Sequence, residues 1–220
     1  MYHVVLLGDS VFDNAAYVAP GEPDVLAQVR ARLPENSEAT LLAVDGSRLA
    51  GVARQLERVP AGATHLVLSC GGNDALGHAG LLEERASSVA ECLDKLARAG
   101  RQFERDYSEA VASLTARRLP AVLCTIYYPQ FADEDVQRLA VTALSVFNDC
   151  ITRAAFAAGL PLIDLRLVCD DPLDYANPIE PSARGGDKIA RAITRAVMEH
   201  DFASRRTSVF FQQAPRAGQH

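Results

Sequence analysis

A serine at position 10 closes the run Val4-Val5-Leu6-Leu7-Gly8-Asp9-Ser10. Four apolar, partly β-branched residues ending in Gly-Asp have the composition of a fully covered strand that runs into a tight turn. Such a turn lifts the serine out at the strand's carboxyl end, where open α/β sheets bind ligands. A serine hydroxyl becomes an acyl acceptor when a base takes its proton and hydrogen-bond donors face the carbonyl oxygen as it gains charge. Two further blocks can supply donors: Asp45-Gly46 and Gly71-Gly72-Asn73-Asp74. The N–H of Ser10, the N–H of Gly46 and the side-chain amide of Asn73 form a candidate oxyanion hole. Each also has a plainer use: a serine bonding its own turn, a glycine permitting a turn, an asparagine within one. Asp9 reads as an acceptor bracing the loop.

The elements that must position these residues alternate in type. Helical spacing over Asp24 to Leu33 precedes a strand over Ala39 to Val44, and Leu49 to Val59 is a helix before a strand over Thr64 to Ser69. Leu81 to Arg118 is helical in composition, with Gly100 as the expected break between two helices, and Pro120 to Ile126 is a strand. Asp133 to Ala158 is helical with Asp133 as cap, Leu160 to Leu165 is a short strand, and a turn-rich stretch from Asp170 to Gly186 leads to a helix from Lys188 to about His200. This alternation predicts an α/β fold, a three-layer α/β/α sandwich around a parallel five-stranded sheet. Residues 1–203 form one domain, and 204–220 read as a disordered tail, with a docked strand at Val209-Phe210-Phe211 the less favoured alternative.

Bulk composition narrows the classes. At 220 residues the chain can bury a real core in one domain. A net charge of −6, without a basic stripe, argues against a nucleic-acid partner. No apolar stretch reaches bilayer-spanning length by this reading, and a strand beginning almost at Met1 leaves no room for a leader, so the expectation is a cytoplasmic protein. Cys70, Cys92, Cys124, Cys150 and Cys169 are scattered singly and odd in number, which suits reduced core thiols and no metal site. Gly8-Asp9-Ser10 lacks the glycine run of a phosphate-binding loop, which disfavours a flavodoxin-like nucleotide binder.

The three blocks, in this order and each at a strand end, resemble the SGNH (GDSL) hydrolase family. Pro181 to Ala190 also resembles that family's closing stretch, so the likeness runs from residue 3 to about 200. It implies a flavodoxin-like SGNH-hydrolase fold, no cofactor, and a small-molecule ester substrate attacked by Ser10. The family's last block carries Asp, two residues, then a histidine base. This chain reads Asn177-Pro178-Ile179-Glu180 instead. The resemblance therefore places Glu180 at the base position and Asn177 at that of its orienting partner.

A glutamate at its ordinary pKa is weaker than histidine by about two units, or about 3 kcal/mol of proton affinity. Burial against Pro178, Ile179 and Pro181 raises it, while an amide bond from Asn177 and the charge of Arg184 lower it, so the residue types leave the sign open. His78 reads as a solvated loop residue and is the alternative base. Asp170, Asp171 and Asp174 read as a solvated acidic loop. Phe12, Tyr17, Tyr127, Tyr128 and Phe131 are equally acyl-pocket walls or plain core and rim aromatics. The rival to an esterase is a binding protein on the same scaffold that holds an ester, a carboxylate or an acylated carbohydrate with negligible turnover.

Overall fold

A computed structural model describes residues 1–204 and 206–212. In chain order it contains β1 (His3–Gly8), α1 (Val25–Arg32), β2 (Glu38–Leu41), α2 (Val52–Glu57), β3 (His65–Ser69), α3 (Gly72–Leu76), α4 (Val89–Thr115), β4 (Ala121–Cys124), α5 (Glu134–Ala158), β5 (Leu162–Ile163), α6 (Leu165–Val168), β6 (Tyr175–Asn177), β7 (Glu180–Pro181), α7 (Ala183–Glu199) and β8 (Val209–Phe210). The main sheet has the order β2-β1-β3-β4-β5-β8, and every neighbouring pair is parallel.

Strand alternation divides the core into two layers. Val5, Leu7, Leu66, Leu68 and Leu123 face α2, α4 and α5, while Val4, Leu6, Val67, Val122 and Ile163 face α1, α6 and α7. Both faces of the sheet are covered, which is why its strands read as continuous apolar runs rather than alternating ones. The chain leaves β1 toward β2 on one side and returns to β3 on the other. The carboxyl ends of β1 and β3 thus flank the crevice at the topological switch point.

Four expectations are corrected. The sheet has six strands, because Val209–Phe210 of the expected tail docks as β8 beside β5, with Phe210 buried; residues 205 and 213–220 of that tail lie outside the described residues. Helix α4 runs unbroken through Gly100. A Cβ there would lie 2.6 Å from a Val146 methyl, so the glycine serves close approach of α5 rather than a break. Helix α7 begins at Ala183, capped by the Ser182 hydroxyl accepting from Gly185 N–H. Finally, α5 is long and apolar enough by length and composition to cross a membrane, although here it packs beside α4 over the sheet.

Candidate active site

The turn after β1 depends on Gly8. Its φ is +124°, and a Cβ would sit 1.7 Å from the Ser69 carbonyl oxygen. The buried Gln55 side chain locks this glycine from α2, accepting from its N–H (2.7 Å) and donating to its carbonyl (2.8 Å). The next two residues, Asp9 and Ser10, are thereby presented at the sheet's carboxyl edge, both buried.

Glu180 reaches the same place from the far end of the chain. It lies in the two-residue β7, paired antiparallel with β6 in a small hairpin, and its side chain accepts from Ser10 Oγ at 2.9 Å. Only 6% of Glu180 is exposed, and its second oxygen, Oε2, is buried without a hydrogen-bond partner. The hairpin's base is pinned by Asp174, which is fully buried rather than solvated. Lys188 Nζ lies 2.6 Å from one of its oxygens and Arg184 Nε 3.4 Å from the other, while Asp174's carbonyl takes the Ser182 N–H. Arg184 is thus spent on Asp171 and Asp174, not on Glu180.

Asn177 stands opposite Glu180 in the hairpin, but its exposed side chain turns back to accept from Ile179 N–H at 3.0 Å. It makes no hydrogen bond to Glu180, so the orienting role implied by the resemblance has no geometric basis. Asn73, at the start of α3, donates one amide hydrogen to the Ser47 carbonyl at 3.0 Å, tying its loop to that of Gly46. Its second hydrogen remains available. Gly46 sits in a left-handed turn (φ +73°), and among the described residues neither its N–H nor that of Ser10 is given to a protein acceptor.

Ser10, Asn73 and Glu180 line one cleft of about 190 Å³; Gly46 lies in the adjoining loop, outside the lining. The rest of the wall is mostly apolar, drawn from Leu81, Leu96, Ile126, Leu144, Phe147 and Ile179 among others, and it carries no lysine or arginine. Of the five aromatics considered from sequence, Tyr127 and Phe131 line it, whereas Phe12 is buried among the residues facing α1 and α7. His78 also lines the cleft, stacked on Phe147 at 5.9 Å, and has no hydrogen bond to Ser10. Buried Asn148 in α5, unremarked in the sequence, holds the wall by bonding both the N–H and the carbonyl of Ile126. Among the described residues no group of three or more His, Cys, Asp or Glu side chains is arranged to hold a metal ion.

A family model of GDSL-like lipases and acylhydrolases matches residues 6–188. The chain belongs to the GDSL-like lipase/acylhydrolase family. The match covers the Gly8-Asp9-Ser10, Asp45-Gly46, Gly71–Asp74 and Asn177–Glu180 blocks and ends within the first turns of α7. No curated protein matches the sequence. Among solved structures, an extracellular lipase from Streptomyces rimosus is similar over 89% of this chain and 100% of its own, at a TM-score of 0.69 and 16% identity. A phospholipase A1 from Streptomyces albidoflavus NA297 is similar over 89% and 99%, with TM-score 0.66 and 15% identity. An acetyl xylan esterase, AlAXEase, is similar over 89% and 100%, with TM-score 0.65 and 17% identity. At these identities the likeness establishes the fold.

Electrostatically the family member's site holds two buried acids, Asp9 and Glu180. Burial raises Glu180 to about 7, opposed by the Ser10 hydrogen bond and reinforced by the charge of Asp45. The sign left open by sequence is therefore upward, because Asn177 and Arg184, the two groups that would have lowered it, are engaged elsewhere. Asp9 is also raised to about 7, mainly by burial, with the Val11 N–H opposing and the charge of Glu180 adding.

Proposed function

We propose that this chain is a serine ester hydrolase in which Ser10 is the nucleophile and Glu180 the general base. The observation that carries the reading is the 2.9 Å hydrogen bond from Ser10 Oγ to a buried carboxylate in the lining of an apolar cleft. A glutamate raised to about 7 has a histidine's proton affinity, recovering about 3 kcal/mol relative to an ordinary glutamate. Glu180 takes the Ser10 proton as Oγ bonds to the acyl carbon. The oxyanion is met by the free N–H groups of Ser10 and Gly46 and by the second amide hydrogen of Asn73. As the tetrahedral species collapses, the proton on Glu180 passes to the departing alcohol oxygen. Glu180 then deprotonates a water that attacks the acyl-enzyme, and Ser10 is restored. The apolar wall takes the acyl chain, and the absence of cationic side chains disfavours anionic acyl groups. Lipase, phospholipase and acetyl xylan esterase structures on the same fold are consistent with ester chemistry here.

Purified protein is expected to hydrolyse short p-nitrophenyl esters and to be labelled by a fluorophosphonate at Ser10, both signals disappearing in Ser10→Ala. Folded protein that resists labelling for hours would instead be a binder of esters or carboxylates. The exposed, disengaged Asn177 is the observation that favours this second reading.

A further inference from the structure

A glutamate base whose one side-chain partner is the nucleophile itself must be oriented by something else, and its flanking carbonyls identify the holders. The Ile179 carbonyl, immediately before Glu180, accepts from Tyr127 Oη at 2.6 Å. The Pro181 carbonyl, immediately after it, accepts from Asn14 Nδ2 at 3.2 Å. Both donors are buried, Asn14 completely. Asn14 is itself fixed, since its Oδ1 accepts from Val25 N–H at 2.9 Å, where α1 begins. Asn14 also lies in the same β1–α1 loop as Ser10, so its bond joins the nucleophile's loop directly to the strand of the base. Tyr127 comes from the segment after β4 and rests edge-on against Tyr175 of β6 at 5.5 Å.

We propose that Tyr127 and Asn14 are positioning residues for Glu180, clamping the carbonyls on either side of it and so replacing the side-chain partner that Asn177 does not supply. The clamp acts on the backbone, so it leaves both carboxylate oxygens free for proton transfer. Its catalytic consequence rests on the reading of Glu180 as base, but the clamp itself can be tested apart from turnover.

The decisive variant is Tyr127→Phe, which removes one hydroxyl and keeps the ring against Tyr175. Its control is Tyr175→Phe, which removes a hydroxyl bonded to the Cys169 carbonyl in the segment leading to the same hairpin. Asp9, Asp45 and Tyr17, the titratable groups that share Glu180's surroundings, are untouched by either change. In protein carrying ¹³C-labelled glutamate, the Glu180 carboxyl resonance is titrated in wild type and both variants. The expected result is a midpoint lowered toward that of an ordinary glutamate in Tyr127→Phe, as the loosened strand admits water, and unmoved in Tyr175→Phe. In parallel, kcat on a p-nitrophenyl ester falls about tenfold in Tyr127→Phe with KM little changed, and the same substitution has no further effect in a Glu180→Gln background. An unmoved midpoint in Tyr127→Phe, or an equal shift in Tyr175→Phe, overturns the clamp. A shifted midpoint in a protein without esterase activity would keep the clamp and reject the catalytic reading. Should Tyr127→Phe fail to fold, Asn14→Ser, which cuts the bond to Pro181, is read by the same titration.

Discussion

At the scale of single residues, the site is marked by two buried carboxyl groups, Asp9 and Glu180. The proposed base, Glu180, could act only when ionised, so with its pKa at about 7 the rate on neutral esters should rise between pH 5 and 8 and level off above. A pH series of kcat/KM checks this, and the limb should vanish in Glu180→Gln with a loss of about 10²–10⁴-fold in rate. Asp9 is raised from 3.8 to about 7 by burial, so its neutral form is favoured on folding. For an acid shifted upward, the stabilising contribution is complete below the unfolded pKa and is lost as pH climbs through the folded one. Asp9→Asn, which keeps the acceptor for Val11 N–H, should therefore be more stable than wild type at pH 8 by about 2–4 kcal/mol. Denaturation at pH 5 and pH 8 tests this: the gap should shrink by more than half at the lower pH, without closing, because pH 5 still lies above the unfolded pKa.

Elements determine whether the two ends of the chain meet at all. Ser10 is placed by a turn that only glycine can make, and Gly8→Ala, with its Cβ 1.7 Å from a carbonyl oxygen, should cost more than about 4 kcal/mol or prevent folding. Expression yield and thermal melting report it. Glu180 is placed by a hairpin whose foundation is the buried Asp174 with Lys188 and Arg184. Lys188→Met would leave that carboxylate with Arg184 alone and should lower stability by about 3 kcal/mol, measured by urea unfolding. From sequence, the acidic residues 170 to 174 looked like a solvated loop, because nothing local announces that a lysine fourteen residues on folds back over one of them. Gly100 misled for a related reason. Within its own helix a glycine reads as a break, and only the neighbouring helix reveals it as a contact point.

Across the whole molecule, the candidate cleft opens at the β1/β3 switch point, and β8 closes the far edge of the sheet. Stability and chemistry should separate along that axis. A chain ending at Ser204 loses the β5–β8 pairing and exposes the residues that Phe210 covers, about 2–3 kcal/mol of apolar burial. Its Tm should drop by about 5–10 °C, while ester hydrolysis well below the melting range should be unchanged. The same separation marks what could be read in advance. The strand–helix alternation, the layered α/β architecture and the placement of Ser10 and Asn73 at strand ends followed from patterns confined to a few consecutive residues, since apolar period and turn chemistry are local properties. What only the folded chain decided was non-local: that residues 10 and 180 share a hydrogen bond, that Asn177 faces away, that burial pushes both acids upward, and that Val209 and Phe210 find a strand to pair with. Desolvation and long-range pairing depend on which distant residues arrive at one place, and no window of sequence contains that information.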